Sequence, residues 1–192
     1  MSAAPRRTAL VLVDLQHDYL ARPGLVPPAS ELVTHAACLL DGFRDLGLPV
    51  VHVHTRTRAD GTDRMPHWRE RGITACVEGT AGAETPSPLE PRAEELVATK
   101  QYYRGFADPA VEPWLRARDV ERVVVAGIYT HACVRETAID AYERGYEVWV
   151  GGDAVGSTEP AHSDATRAWL ETRAARFRTT RAILADLGLE GP

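Results

Sequence analysis

The chain carries a single lysine, Lys100; the remaining 21 of its 22 lysine and arginine residues are arginine. Cysteine is scarce as well: Cys38, Cys76 and Cys133 stand at wide, irregular spacing. That number and spacing argue against a disulfide framework and against paired-cysteine zinc sites. No basic run suggests a nucleic-acid groove, there is no acidic tail, and the net charge is −5. No apolar stretch approaches the roughly 20 residues of a membrane helix. The polar start, Met1 to Arg7, has no apolar core of a signal peptide. These absences lead to the expectation of a cytoplasmic protein with a small-molecule substrate, no nucleic-acid partner and no membrane. Hydrophobic residues make up 44% of the chain, enough for a buried core, and residues 1–192 are read as one domain.

The exception at position 100 bears on chemistry. Arginine is a wide, planar fork that stays charged, whereas lysine is a compact point charge whose pKa moves when it is buried. A site that accepts only the second cation is one reading; survival of one surface lysine is the other. If Lys100 serves a site, its charged end is expected to face a pocket rather than the core.

Apolar runs alternate with helical stretches. Ala9–Val13 lacks polar alternation and reads as a strand buried on both faces, as in a parallel sheet. A helix follows Pro27–Ser30, with Leu32, Ala36, Leu39, Leu40 and Phe43 at helical spacing and Gly47 as a stop. Further strands are expected at Leu48–His54, Leu96–Thr99, Arg122–Gly127, Tyr146–Val150 and Ala175–Thr179. Further helices are expected at Pro109–Arg118, about Cys133 to Arg144, and Pro160–Arg173. Residues 55–93 are irregular, and so long a stretch in a compact domain suggests an active-site cover. The alternation implies an α/β fold of three layers: a mostly parallel sheet of about six strands with helices on both faces.

In such sheets ligands bind beyond the carboxyl ends of the strands. Asp14 follows the first strand, Lys100 the third, and Cys133 the segment after the fourth, at the start of a helix. A carboxylate, an ammonium and a thiol thus converge from unrelated segments. The thiol is expected to ionise easily beside a cation at a helix start. Asp14 can take its proton, and backbone N–H groups of the turn can hold an oxyanion. Taken singly, Asp14 reads as a cap, Lys100 as solvated and Cys133 as a small buried hydrophobe.

Several segments in order carry more. Val13-Asp14-Leu15-Gln16-His17-Asp18-Tyr19, the loop Cys76–Glu84, Lys100 six residues before Phe106, and Gly127-Ile128-Tyr129-Thr130-His131-Ala132-Cys133-Val134 form a series. Thr137, Asp140-Ala141, Gly145-Tyr146 and Asp153-Ala154 continue it. The series resembles the isochorismatase-like, or cysteine hydrolase, superfamily, over about Ala9 to Thr179. The resemblance implies a Rossmann-like fold, an Asp14, Lys100, Cys133 triad, and a cis peptide between Ile128 and Tyr129. The Tyr129 and Cys133 N–H groups would then serve the oxyanion. It also implies hydrolysis of a C–N bond in a small amide or ureido substrate through a thioester, without a cofactor, in a homo-oligomer (dimer or tetramer). Candidate substrate-binding residues are Gln16, Tyr19, Trp68, Tyr103, Arg104, Phe106 and His131. Arg104 departs from the family's small residue there and is a candidate for a substrate carboxylate. True isochorismatases have a small residue at the cysteine position, so Cys133 favours amide over vinyl-ether hydrolysis; a non-catalytic binding domain is the other alternative.

His52 and His54 lie two apart on a strand and, with His67, raise the question of a metal. Nicotinamidases of this family bind theirs through an Asp-x-His pair, absent here, so no metal is expected. His52 and His54 read as a sheet-edge pair. His67 and Trp68 are expected to line the pocket or a subunit contact.

Overall fold

A computed structural model describes residues 7–189. Its strands are β1 (Thr8–Val13), β2 (Val50–Thr55), β3 (Leu96–Lys100), β4 (Arg122–Ile128), β5 (Glu147–Gly156) and β6 (Arg176–Arg178). All pair in parallel, in the order β3-β2-β1-β4-β5-β6. β1 alternates strictly. Leu10 and Leu12 enter one core, while Ala9, Val11 and Val13 enter the other. Both faces are therefore buried, which is why the run shows no polar alternation.

Helices α2 (Ala29–Asp45) and α7 (Thr180–Asp186) cover the first face. Helices α4 (Val111–Arg116), α5 (Arg135–Glu143) and α6 (Pro160–Glu171) cover the second, so the chain has the three-layer α/β/α architecture. Two short helices, α1 (His17–Leu20) and α3 (Pro66–Glu70), lie in the loops beyond β1 and β2. Among the described residues no helix is long and apolar enough to cross a membrane.

β2 and β3 are added on one side of β1 and β4 to β6 on the other, so the order of strand addition reverses between β1 and β4, whose ends Val13 and Gly127 are paired. That reversal opens a crevice beyond the strand ends. Close approach there requires glycine at position 127. Its φ is +134°, and a Cβ would strike the carbonyl of Val13.

The expected sheet-edge histidines are not at an edge. β2 lies between β1 and β3, and both rings are buried. His52 Nε2 meets Glu95 Oε2 at 2.8 Å, and Arg44 grips the same carboxylate at 2.7 and 2.9 Å. Burial raises the Glu95 carboxyl, yet hydrogen bonds from Arg44, the Arg92 backbone and His52 outweigh it and hold it at about 2. His54 Nδ1 has no partner among the described residues.

Candidate active site

Asp14 leaves β1 with φ +55°, a left-handed conformation that a short polar side chain tolerates. Its Oδ1 accepts from the Thr55 N–H at 3.0 Å and from the Thr55 hydroxyl at 2.8 Å. Its Oδ2 accepts from Lys100 Nζ at 2.7 Å. The ammonium also donates to Thr55 Oγ1 at 2.9 Å and to Cys133 Sγ at 3.3 Å. Three donations in three directions use every proton of the group. The Lys100 side chain is 0% exposed, so the expectation that its charged end faces an open pocket is corrected: it is enclosed by its partners.

Thr55 was not singled out in the sequence, although it too follows the rule of strand ends. It spans the carboxylate and the ammonium, and the Tyr19 hydroxyl adds a contact at 3.3 Å.

Cys133 sits inside a wide turn, Thr130–Val134, that precedes α5. The Val134 N–H donates to Tyr129 O, five residues back, in a π-type turn. The peptide between Ile128 and Tyr129 is cis. Burial pushes the Cys133 thiol up to about 12, and the Asp14 charge adds to this while Lys100 opposes it. This corrects the expectation of an easily ionised thiol. Asp14 and Lys100 already neutralise one another, so a thiolate would be an additional buried charge. Lys100 itself is shifted upward: burial disfavours its charge, but Asp14 and Cys133 outweigh that.

The thiol opens on a cavity of about 690 Å³. Tyr19, Trp68, Tyr103, Tyr129 and His131 form part of its wall. The Tyr19 and Tyr129 rings meet edge to face at 5.7 Å, and Tyr129 stacks on His131 at 6.0 Å. Arg22, Arg71 and Arg135 supply positive charge to the same wall.

A model of the isochorismatase domain matches residues 8–182. The chain belongs to the isochorismatase family. It is similar to maleamate amidohydrolase of Pseudomonas putida, with 32% identity over 83% of this chain and 75% of that protein. Similarity to nicotinamidase/pyrazinamidase of Mycobacterium tuberculosis is also 32%, over 85% and 92% of the two chains. The crystal structure of N-carbamoylsarcosine amidase from Thermoplasma acidophilum aligns with a TM-score of 0.77. It is 30% identical, covering 91% of this chain and 96% of that one.

Within this isochorismatase-family chain, three candidate substrate contacts fall elsewhere. Gln16 is wholly buried. Its amide donates to Thr55 O at 2.9 Å and Ala83 O at 2.6 Å, and its carbonyl accepts from the Thr55 N–H at 2.8 Å. It is a clamp between loops, with its polar atoms already engaged. Phe106 is buried in the core beside Tyr146, at 6.0 Å between rings. Arg104 is exposed and outside the cavity wall, close enough to Asp140 to favour that residue's charge.

The irregular stretch after β2 supplies part of the cavity wall, through Met65, His67, Trp68, Arg71 and Ile73. Asp18 anchors it, accepting from the Cys76 N–H at 2.7 Å. Gly82 leaves room for this, since a Cβ would overlap the Asp18 carboxylate. Cys76 is fully buried, its thiol is pushed up by burial, and unlike Cys133 it does not line the cavity.

His52, His54 and His67 do not assemble as metal ligands. Among the described residues, the one group of three with ligand-like spacing is His131, Glu159 and His162, which sequence reading did not find.

Proposed function

We propose that the chain hydrolyses the C–N bond of a small amide or ureido substrate, with Asp14, Lys100 and Cys133 as the catalytic residues. The observation that carries this reading is the buried Lys100 ammonium, 2.7 Å from Asp14 and 3.3 Å from Cys133, beside a cavity of substrate size. Similarity to maleamate amidohydrolase and nicotinamidase/pyrazinamidase supports the same class of bond.

The resting thiol holds its proton, so attack on the substrate carbonyl is coupled to proton transfer from Cys133 to Asp14. Lys100 keeps the carboxylate in reach and balances the charge that passes to sulfur. The carbonyl oxygen becomes an oxyanion held by the Tyr129 and Cys133 N–H groups. Asp14 then returns the proton to the departing nitrogen, the C–N bond breaks, and a thioester remains on Cys133. Water, deprotonated by Asp14, cleaves the thioester, and the thiol regains its proton.

This reading includes residues 1–192 acting as one domain, in the cytoplasm, as a homo-oligomer. Tyr142 and Trp169, 51% and 38% exposed, are aromatic surface suited to a subunit contact. Ammonia release from a panel of small amides, ureides and nicotinamide tests the chemistry. The parent should turn over at least one. Cys133→Ser should retain the fold and lose about a thousandfold or more in rate, because a serine hydroxyl is far harder to ionise. Undiminished turnover by the variant would rule out the thioester route.

A further inference from the structure

Ser157 follows β5 and is pinned by two backbone hydrogen bonds of 2.9 Å to Val26. Its hydroxyl accepts from the Glu159 N–H at 2.9 Å and meets His131 Nδ1 at 2.7 Å. One nitrogen of His131 is therefore engaged, and the ring orientation is set. The other nitrogen, Nε2, lies 3.4 Å from Glu159 Oε1, and Glu159 Oε2 lies 2.7 Å from His162 Nδ1. One donor atom from each of the three residues falls within 4.8 Å of the others.

A tetrahedral zinc ion with bonds of about 2.0–2.1 Å separates neighbouring ligands by roughly 3.3 Å. The His131–Glu159 gap matches that spacing. A ring nitrogen tied to a hydroxyl while the other points at a donor cluster is the arrangement that orients metal-bound histidines. Simple charge pairing accounts for less. The Glu159 and His162 side chains are 53% and 67% exposed, and an exposed pair contributes little.

We propose that His131, Glu159 and His162 bind a divalent transition-metal ion, zinc by preference, at the rim of the cavity that contains Cys133. Two imidazoles and a carboxylate suit zinc. This place, after β4 and β5, is distinct from the Asp-x-His position that the sequence lacks. His131 and Glu159 both line the cavity, so the ion sets a cation into its wall, fitted to an oxygen of a bound small molecule. No step at Cys133 passes through it. The inference is independent of the hydrolase reading, because binding is measurable in protein that cannot form a thioester.

The test is calorimetric titration of zinc ion into metal-stripped full-length protein, with the visible spectrum of the cobalt(II) form as a second readout. One ion per chain is expected, equally in the parent and in Cys133→Ser. His162→Ala and Glu159→Gln should each weaken binding about tenfold or more, and Ser157→Ala by about tenfold through loss of ring orientation. Glu159 and His162 are exposed, and Ser157→Ala removes only a hydroxyl from a buried site, so these variants should fold, and unchanged circular dichroism checks that. Absence of stoichiometric binding would overturn the proposal. So would affinity unchanged in both His162→Ala and Glu159→Gln, or binding lost in Cys133→Ser, which would assign the ion to the thiol.

Discussion

Lys100 donates to Asp14 across 86 residues of sequence at 2.7 Å, and neither side chain is more than 1% exposed. The pair sits among atoms that leave no room for a larger cation. Lys100→Arg keeps the charge but forces a planar fork into a space shaped for an ammonium. Turnover should fall about a hundredfold, since displacing Asp14 by about 1 Å is enough for that. Stability should fall too, by about 1–3 kcal/mol, because the enclosed site is overpacked. Steady-state rates and a denaturant titration check both. Parent-like values would reduce Lys100 to a bystander.

The thiol gives a second expectation. Because burial and Asp14 hold Cys133 at about 12, its inactivation by iodoacetamide should accelerate with pH and show no plateau up to about pH 10. A plateau near neutrality would instead indicate a standing thiolate paired with Lys100.

Acid should weaken the fold through His54. Burial, with His52 and Arg56 adding to it, lowers its pKa from 6.5 to about 4. Below about 6.5 the unfolded chain takes up a proton that the folded chain refuses until about pH 4. Stability is therefore retained above that window and lost as pH falls through it, by on the order of 3 kcal/mol at most. Thermal midpoints recorded from about pH 7 down to about pH 4.5 should decline. His54→Phe should flatten the decline, since the Nδ1 atom it removes has no partner among the described residues. A slope identical to the parent's would clear His54 of the effect.

Asp18→Ala should loosen the cavity wall. It removes a part-buried acceptor from the Cys76 N–H, a hydrogen bond worth about 1.5–3 kcal/mol. KM should rise about tenfold while kcat changes less, and a protease should cut between residues 60 and 80 sooner than in the parent. Equal KM and equal resistance would show that the segment holds its place without this anchor.

Much of this was legible in the residues. The strands were readable because both sheet faces are buried and their apolar runs are uninterrupted. Residues beyond the strand ends converge because the topology brings those ends together. What escaped reading has physical causes. β5 runs on to Gly156 because pairing with β4 resumes at Val155 and Gly156 after an irregularity past Val150, where the apolar pattern stops. Helices α1 and α3, of four and five residues, are too short for a period to emerge. Gln16 and Phe106 lie in the motif but act in packing, and a motif does not say which way a side chain points. The direction of the thiol shift depends on how completely the site is enclosed, and sequence does not give enclosure. The His131, Glu159, His162 group joins the turn before α5 to the start of α6, and nothing in the sequence ties those two segments together.

Lys100 is the last residue of β3, an outer strand of five residues that pairs only with β2. Outer strands open locally at lower free energy than central ones. The cation is thus mounted at an edge of the sheet and not at its centre. Mild heat or denaturant would part it from Asp14 while β1, β4 and β5 remain joined. On the proposed mechanism, activity should then be lost with the hold of one short strand on its neighbour, before the rest of the molecule melts.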